Sequence, residues 1–152
     1  MTCFKVLDGT FYRGNRLIFE KMTFEVLHGE ILAVLGCNGV GKTTLIQCCM
    51  GLLQWTSGKS YLENRSVSHM SNKELFSKIA YIPQAKNLNI GLSVLDMVLL
   101  GCNPSVRVCP KKEHIERAKE ILDKMGIFHL HNQPCDCLSG GELQMVIFAR
   151  AL

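Results

Sequence analysis

The sequence predicts an α/β fold, and three observations carry that expectation. A continuous apolar run of strand length, Ile31-Leu32-Ala33-Val34-Leu35, leads at once into a glycine-rich loop, Gly36 to Gly41, and then into a segment of helical character from Lys42 to Leu52. Such a run suits a strand buried on both faces of a parallel sheet. Further on, Ile115, Ala118, Leu122 and Met125 recur at helical spacing. The composition is that of a folded domain: 152 residues, 47% hydrophobic and 20% charged. That length supports one sizeable core and leaves little room for two independent ones.

The elements follow in order. Thr23 to Leu27 alternates apolar and polar residues at Phe24 and Val26, the pattern of a half-buried strand, and His28-Gly29 turns the chain. After the helix from Lys42, polar and turn residues around Trp55 to Gly58 precede a weaker strand from Lys59 to Leu62. Ser71-Asn72-Lys73-Glu74 has the spacing of a capping box, so a helix is expected to start there and to end near Ala80. Ala80-Tyr81-Ile82 reads as a short strand stopped by Pro83, which has no N–H to donate. Ser93-Val94-Leu95-Asp96 opens another helix through Leu100, and Gly101 to Pro110 reads as a loop. The periodic helix from Lys111 ends at Gly126, placed as a C-cap glycine, and a short turn covers Ile127 to His131. Ser139 to Leu152 begins with two glycines and continues as an apolar-rich helix. The organisation expected is a mixed core over residues 1–84, a helical insert over 85–137 and a final helix over 138–152.

Composition removes several function classes. The net charge of +4 is too mild for the basic stripe of a dedicated nucleic-acid binder. No apolar run is long enough for a transmembrane helix, and the N-terminus lacks the pattern of a secretory signal. A cytosolic location is expected, with any membrane role peripheral. The eight cysteines then read as reduced, small hydrophobes, Cys48 and Cys49 being neighbours inside a helix. Cys135-Asp136-Cys137 has no second pair at zinc-like spacing.

Gly36-Cys37-Asn38-Gly39-Val40-Gly41-Lys42-Thr43-Thr44 fits G-x-x-x-x-G-K-[ST]. Each residue type has a physical reason. An anionic phosphate chain must lie against backbone N–H groups, and glycines let the chain wrap that closely. The helix starting at Lys42 directs its positive end at the phosphates. Lys42 supplies a mobile cation to the β- and γ-phosphates, and the Thr43 hydroxyl is a ligand for Mg²⁺. On these residues alone the expectation is binding of ATP or GTP.

A second stretch, Leu138-Ser139-Gly140-Gly141-Glu142-Leu143-Gln144, is a loop entering a helix. Ser139 is positioned to cap it, and the glycines expose backbone N–H groups to an anion. With the loop before it, the sequence resembles the ATP-binding subunits of ABC transporters. Gly36 to Thr44 corresponds to that family's Walker A motif, and Leu138 to Gln144 to its signature motif. Gln84, in Ile82-Pro83-Gln84, corresponds to the Q-loop glutamine, and Tyr12, in Phe11-Tyr12-Arg13-Gly14, to the aromatic residue that stacks on adenine. The fold implied is a P-loop NTPase of the ABC type, a mixed β/α core with a helical subdomain.

The resemblance implies ATP and Mg²⁺ as cofactors. It implies a head-to-tail pair of subunits, a homodimer or a dimer with a related ABC subunit. In it Ser139, Gly140, Gly141, Glu142 and Gln144 of one chain face the nucleotide on the other's Lys42. Gln84 would sense Mg²⁺ and the attacking water and pass the change to the helical insert, docked on an integral membrane permease at the inner face of the cell membrane. A substrate-binding protein would take part indirectly, and nucleic acid would not. Val94 to Gly101, and Leu138 to Leu152, resemble the importers of iron-siderophores, haem and vitamin B12, although Cys102 stands where an Arg is usual. In the family the strand after the signature carries the Walker B aspartate and the catalytic glutamate. The residues to Leu152 do not contain it, and neither Asp123 nor Asp136 ends an apolar strand. The 152 residues are therefore expected to form an incomplete cassette that does not hydrolyse ATP by itself. The alternatives are a nucleotide-binding module without hydrolysis, and a soluble ABC ATPase of the repair or translation type. The long insertions typical of the latter are missing from these residues.

Overall fold

The computed structural model describes residues 2–84, 91–102 and 110–152. These form two compact units, divided between Leu75 and Phe76.

The first unit is built on an antiparallel sheet. Strands β1 (Thr2–Arg13) and β2 (Arg16–Leu27) form a long hairpin, β3 (Ser57–Leu62) lies on the other side of β1, and the short β4 (Arg65–Ser66) follows, giving the order β2-β1-β3-β4. The hairpin is longer than the sequence pattern indicates, because bulges break its alternation. Asp8 and Lys21 both have φ of 50° beside register shifts. Each leaves an N–H without a ladder partner, and a threonine on the opposite strand takes it: Asp8 donates to Thr23 Oγ1 at 3.0 Å and Lys21 to Thr10 Oγ1 at 3.0 Å. Trp55 covers the bulge, and a Cβ on Gly9 would fall 2.5 Å from its ring, so only glycine fits there. The Trp55 indole N–H donates to Ser60 Oγ at 2.7 Å.

Helix α1 (Lys42–Cys49) packs Leu45 and Cys48 into the core of this unit with Val6, Met50, Leu62, Val67 and Leu75. It ends in a Schellman turn: Gly51 has φ of 70°, and Leu52 N–H donates to Gln47 C=O at 2.9 Å. Helix α2 (Asn72–Phe76) starts where the sequence places it, with Glu74 N–H on Ser71 Oγ at 3.3 Å, but ends four residues before Ala80.

Two expected strands are not formed. Residues 30–37 have no regular structure, with Ile31 96% and Leu35 89% exposed. A strand apolar on both faces needs hydrogen-bonding neighbours and two covering layers, and among the described residues none lies beside this segment. Residues 79–84 are likewise irregular, although Ile82 packs against the core of the second unit.

That second unit is helical. Helices α3 (Val94–Cys102), α4 (Lys112–Lys124) and α5 (Gly140–Ala151) enclose a core of Val94, Met97, Val98, Leu122, Leu143 and Val146. The periodic face of α4 behaves as read: Ala118 and Leu122 are buried, Ile115 and Met125 half-buried. Gly126, with φ of 71°, closes α4, and Ile127 N–H donates to Leu122 C=O at 3.0 Å. Ser93 and Asp96 cap α3 reciprocally, Asp96 N–H to Ser93 Oγ at 3.1 Å and Ser93 N–H to Asp96 Oδ2 at 3.3 Å. Gly101, read as the start of a loop, lies within α3; residues 103–109 of that loop, and residues 85–90 at the start of the helical insert, lie outside the described residues. Of the histidines, His28, His69 and His129 are exposed, while His114 and His131 are half-buried.

Candidate functional site

The glycine-rich loop owes its path to three backbone conformations that side chains resist. Gly36, Gly39 and Gly41 have φ of 156°, 80° and 110°. Gly41 is also sterically fixed, since a Cβ there would lie 2.6 Å from Ile18 Cγ2 on β2. The loop is open to solvent from Gly36 through Val40, with Cys37 and Asn38 exposed. Lys42 curls back over it and donates from Nζ to Gly36 C=O at 2.6 Å and Cys37 C=O at 2.8 Å. A charged amine thus spans the mouth of the loop, held by carbonyls that an anion could replace as partner.

Thr43 and Thr44 take opposite roles in the first turn of α1. Thr43 is exposed, whereas Thr44 is buried. Thr44 Oγ1 accepts from Arg13 Nη2 at 3.3 Å. Arg13 adjoins Tyr12 on β1, so the hairpin end that carries Tyr12 is brought to the start of α1. Tyr12 as a residue is 42% exposed, and its backbone N–H is tied to Thr56 Oγ1 at 3.1 Å.

The remaining predicted residues belong to the second unit. Ser139 is the N-cap of α5 in a complete capping box. Glu142 N–H donates to Ser139 Oγ at 3.3 Å, while Ser139 N–H and Oγ–H donate to Glu142 Oε2 at 2.8 and 2.6 Å. These bonds hold the Glu142 carboxyl below its ordinary value, side-chain bond first, with His129 adding a smaller electrostatic contribution. The Ser139 hydrogen is thereby committed to Glu142, and an anion at this helix end would have to take it over. Gly140 and Gly141 are exposed and unobstructed, and Gln144 is half-buried. Gln84 is exposed at the end of the irregular stretch after Ala80. Cys135 is buried and Cys137 exposed, and burial pushes the Cys135 thiol above its usual range.

Sequence reasoning missed Arg13 and Ile18. Neither belongs to a motif, and both reach the loop through contacts distant along the chain.

The profile of the family described as ABC transporter matches residues 19–152. The chain belongs to that family. This ABC chain is 36% identical over 153 residues to a probable iron chelatin transport ATP-binding protein of Helicobacter pylori, covering 97% of the chain and 59% of the relative. It is 33% identical over 139 residues to a hemin import ATP-binding protein of Gloeobacter violaceus, covering 91% of the chain and 50% of the relative. It is 32% identical over 146 residues to a molybdate import ATP-binding protein of Haemophilus influenzae, covering 95% and 53%. Among solved structures it resembles a metal-chelate-type ABC transporter in an inward-facing conformation, with a TM-score of 0.80 at 31% identity over 99% of this chain and 55% of that one. It also resembles a nucleotide-free ATP-binding cassette of an ABC transporter, with a TM-score of 0.87 at 27% identity over 100% of this chain and 65% of that one. The ABC chain spans little more than half the length of these curated relatives. The α/β fold of the ABC type agrees with the expectation from the sequence.

Two results are expected at the loop. If the Tyr12 ring stacks on a base, Tyr12→Ala weakens ATP and leaves inorganic triphosphate unchanged; equal loss for both would make Tyr12 a structural residue. Cys37 is exposed in the loop, whereas burial pushes the thiols of Cys48 and Cys49 up to about 11 and about 12. Alkylation is expected to strike Cys37 ahead of those two and to block nucleotide binding, with ATP protecting it. Labelling of Cys37 at the same rate with and without ATP would contradict this.

Proposed function

We propose that the chain is the nucleotide-binding part of the energising subunit of an ABC importer for a metal chelate, such as iron-siderophore, haem or cobalamin. The observation that carries the reading is the open loop capped by Lys42, in a chain whose similar proteins include iron chelatin and hemin import subunits. The loop glycines and Lys42 would hold the phosphates of ATP, and Tyr12 would take the base. Thr43, exposed at the loop's end, would take Mg²⁺, which neutralises phosphate charge when bound; Gln84 would act with it as the sensor. The residues fit that group: Thr43 is accessible, and Lys42 can leave the two carbonyls for phosphate oxygens.

In this reading Ser139, Gly140 and Gly141 serve the nucleotide of a second ABC subunit, with Glu142 and Gln144 in the same motif. The helical residues dock on integral membrane permease subunits, placing the chain on the cytoplasmic face. Among the described residues no helix is long and apolar enough to cross a membrane.

Deleting the gene and measuring uptake of labelled ferric siderophore, haem, cobalamin and molybdate tests the transport role. Selective loss of a metal chelate supports the reading. Unchanged uptake of all four, or loss of molybdate alone, contradicts it. A polypeptide of these 152 residues is expected to bind ATP without steady turnover, because hydrolysis needs one carboxylate to position Mg²⁺ and another to polarise water. Asp123 lies on α4 and Asp136 in a short turn after Pro134, neither of them at a strand end. Mg²⁺-dependent phosphate release that disappears in Lys42→Ala would show that other residues supply those carboxylates.

A further inference from the structure

The tip of the β1–β2 hairpin gathers cations without an anion. Arg13 and Arg16 form the last pair of the register and stand directly opposite one another. Like charges in that position repel. The tip is also held against the start of α1 at two points: Arg13 Nη2 on Thr44 Oγ1 at 3.3 Å, and Ile18 against Gly41, where a Cβ would come within 2.6 Å. These contacts carry a guanidinium to the first turn of α1, the same turn from which Lys42 reaches back over the loop. The first turn of α1 contains no acidic residue, and among the described residues neither arginine has a carboxylate partner. Such a grouping of cations at the positive end of a helix favours an anion beside it.

We propose that Arg13 is a second phosphate-recognition residue of this site. Lys42 serves the phosphate chain from the loop, and Arg13 serves it from the hairpin side, at Thr44. A guanidinium carries five N–H donors in a planar fork, so one bond to Thr44 leaves donors for phosphate oxygens. The inference rests on reading the loop as a nucleotide site and adds to it a residue outside every motif. It also gives the hairpin contact a purpose: β1 delivers an aromatic ring at Tyr12 and a cation at Arg13 to one ligand, the two following each other in sequence.

The test titrates the full chain with ATP, ADP and inorganic triphosphate, comparing wild type with Arg13→Gln and Arg13→Lys. Glutamine keeps a polar amide on a shorter stem and carries no charge, whereas lysine keeps the charge and the length. Arg13→Gln is expected to weaken ATP and triphosphate about tenfold and to flatten the salt dependence, and Arg13→Lys to recover part of the loss. The melting temperature of nucleotide-free Arg13→Gln is expected to equal or exceed that of wild type, since a cation leaves the positive end of α1. Wild-type affinity in Arg13→Gln overturns the inference and leaves the nucleotide site standing. A lowered nucleotide-free melting temperature, with binding that lysine does not restore, would make Arg13 a structural brace instead. Wild-type protein that binds none of the three ligands removes the site itself and the inference with it.

Discussion

Lys42→Ala is expected to abolish ATP binding at concentrations that saturate the wild type. The Lys42 Nζ lies over the mouth of the loop, 2.6 and 2.8 Å from two of its carbonyls. It is the one side-chain cation that the loop motif itself supplies, and its long stem lets it follow the phosphate chain. A lost charge-assisted hydrogen bond costs about 1.5–3 kcal/mol, which is roughly one to two orders of magnitude in affinity. The same amine also bridges the Gly36 and Cys37 carbonyls, so its removal takes away a tie within the loop as well. Titration with a fluorescent ATP analogue measures it. An affinity equal to wild type would remove the phosphate-loop reading, whatever the family.

The second large effect is expected in the helical unit, at Gly101→Ala. A Cβ at Gly101 would lie 1.9 Å from the Arg150 carbonyl oxygen and 2.8 Å from its carbon. Both are backbone atoms of α5, so no side chain can swing aside. Helices α3 and α5 must separate, and the core between them, including Met97, Val98 and Val146, loses contact. Alanine favours a helix over glycine by about 1 kcal/mol, and overpacking costs about 1–3 kcal/mol or more. The expected net result is destabilisation of the helical unit by about 2 kcal/mol. Gly126→Ala provides the contrast: nothing lies within 4 Å of its Cβ position, and only its φ of 71° resists substitution. Urea denaturation followed by far-ultraviolet circular dichroism compares the two. A Gly101→Ala variant as stable as wild type would mean that α3 and α5 do not approach this closely.

What was legible in the sequence was local. The loop and α1 are written in consecutive residues, and so are the caps at Ser93 and Ser139, whose partners Asp96 and Glu142 stand three positions on. The face of α4 and its end at Gly126 follow from spacing alone. The long hairpin was less legible because bulges at Asp8 and Lys21 reverse the phase of alternation partway along each strand. The run Ile31 to Leu35 misled for a different reason. Its composition states what it can bury, but a strand also needs neighbours, and periodicity does not report them. Arg13 was invisible for the same kind of reason, since its partner Thr44 lies 31 residues away and belongs to a motif that does not include it.

The central claim is that residues 36–44, with the hairpin end carrying Tyr12, form a nucleotide site. Backbone amide resonances of the ¹⁵N-labelled chain, followed while ATP and Mg²⁺ are added, test it most directly. The expected result is saturable movement of the amides from Gly36 to Thr44, joined by those of Tyr12 and Arg13, with all of them giving one affinity. Saturation confined to residues outside the loop and the hairpin end, or no movement at all, would contradict the claim.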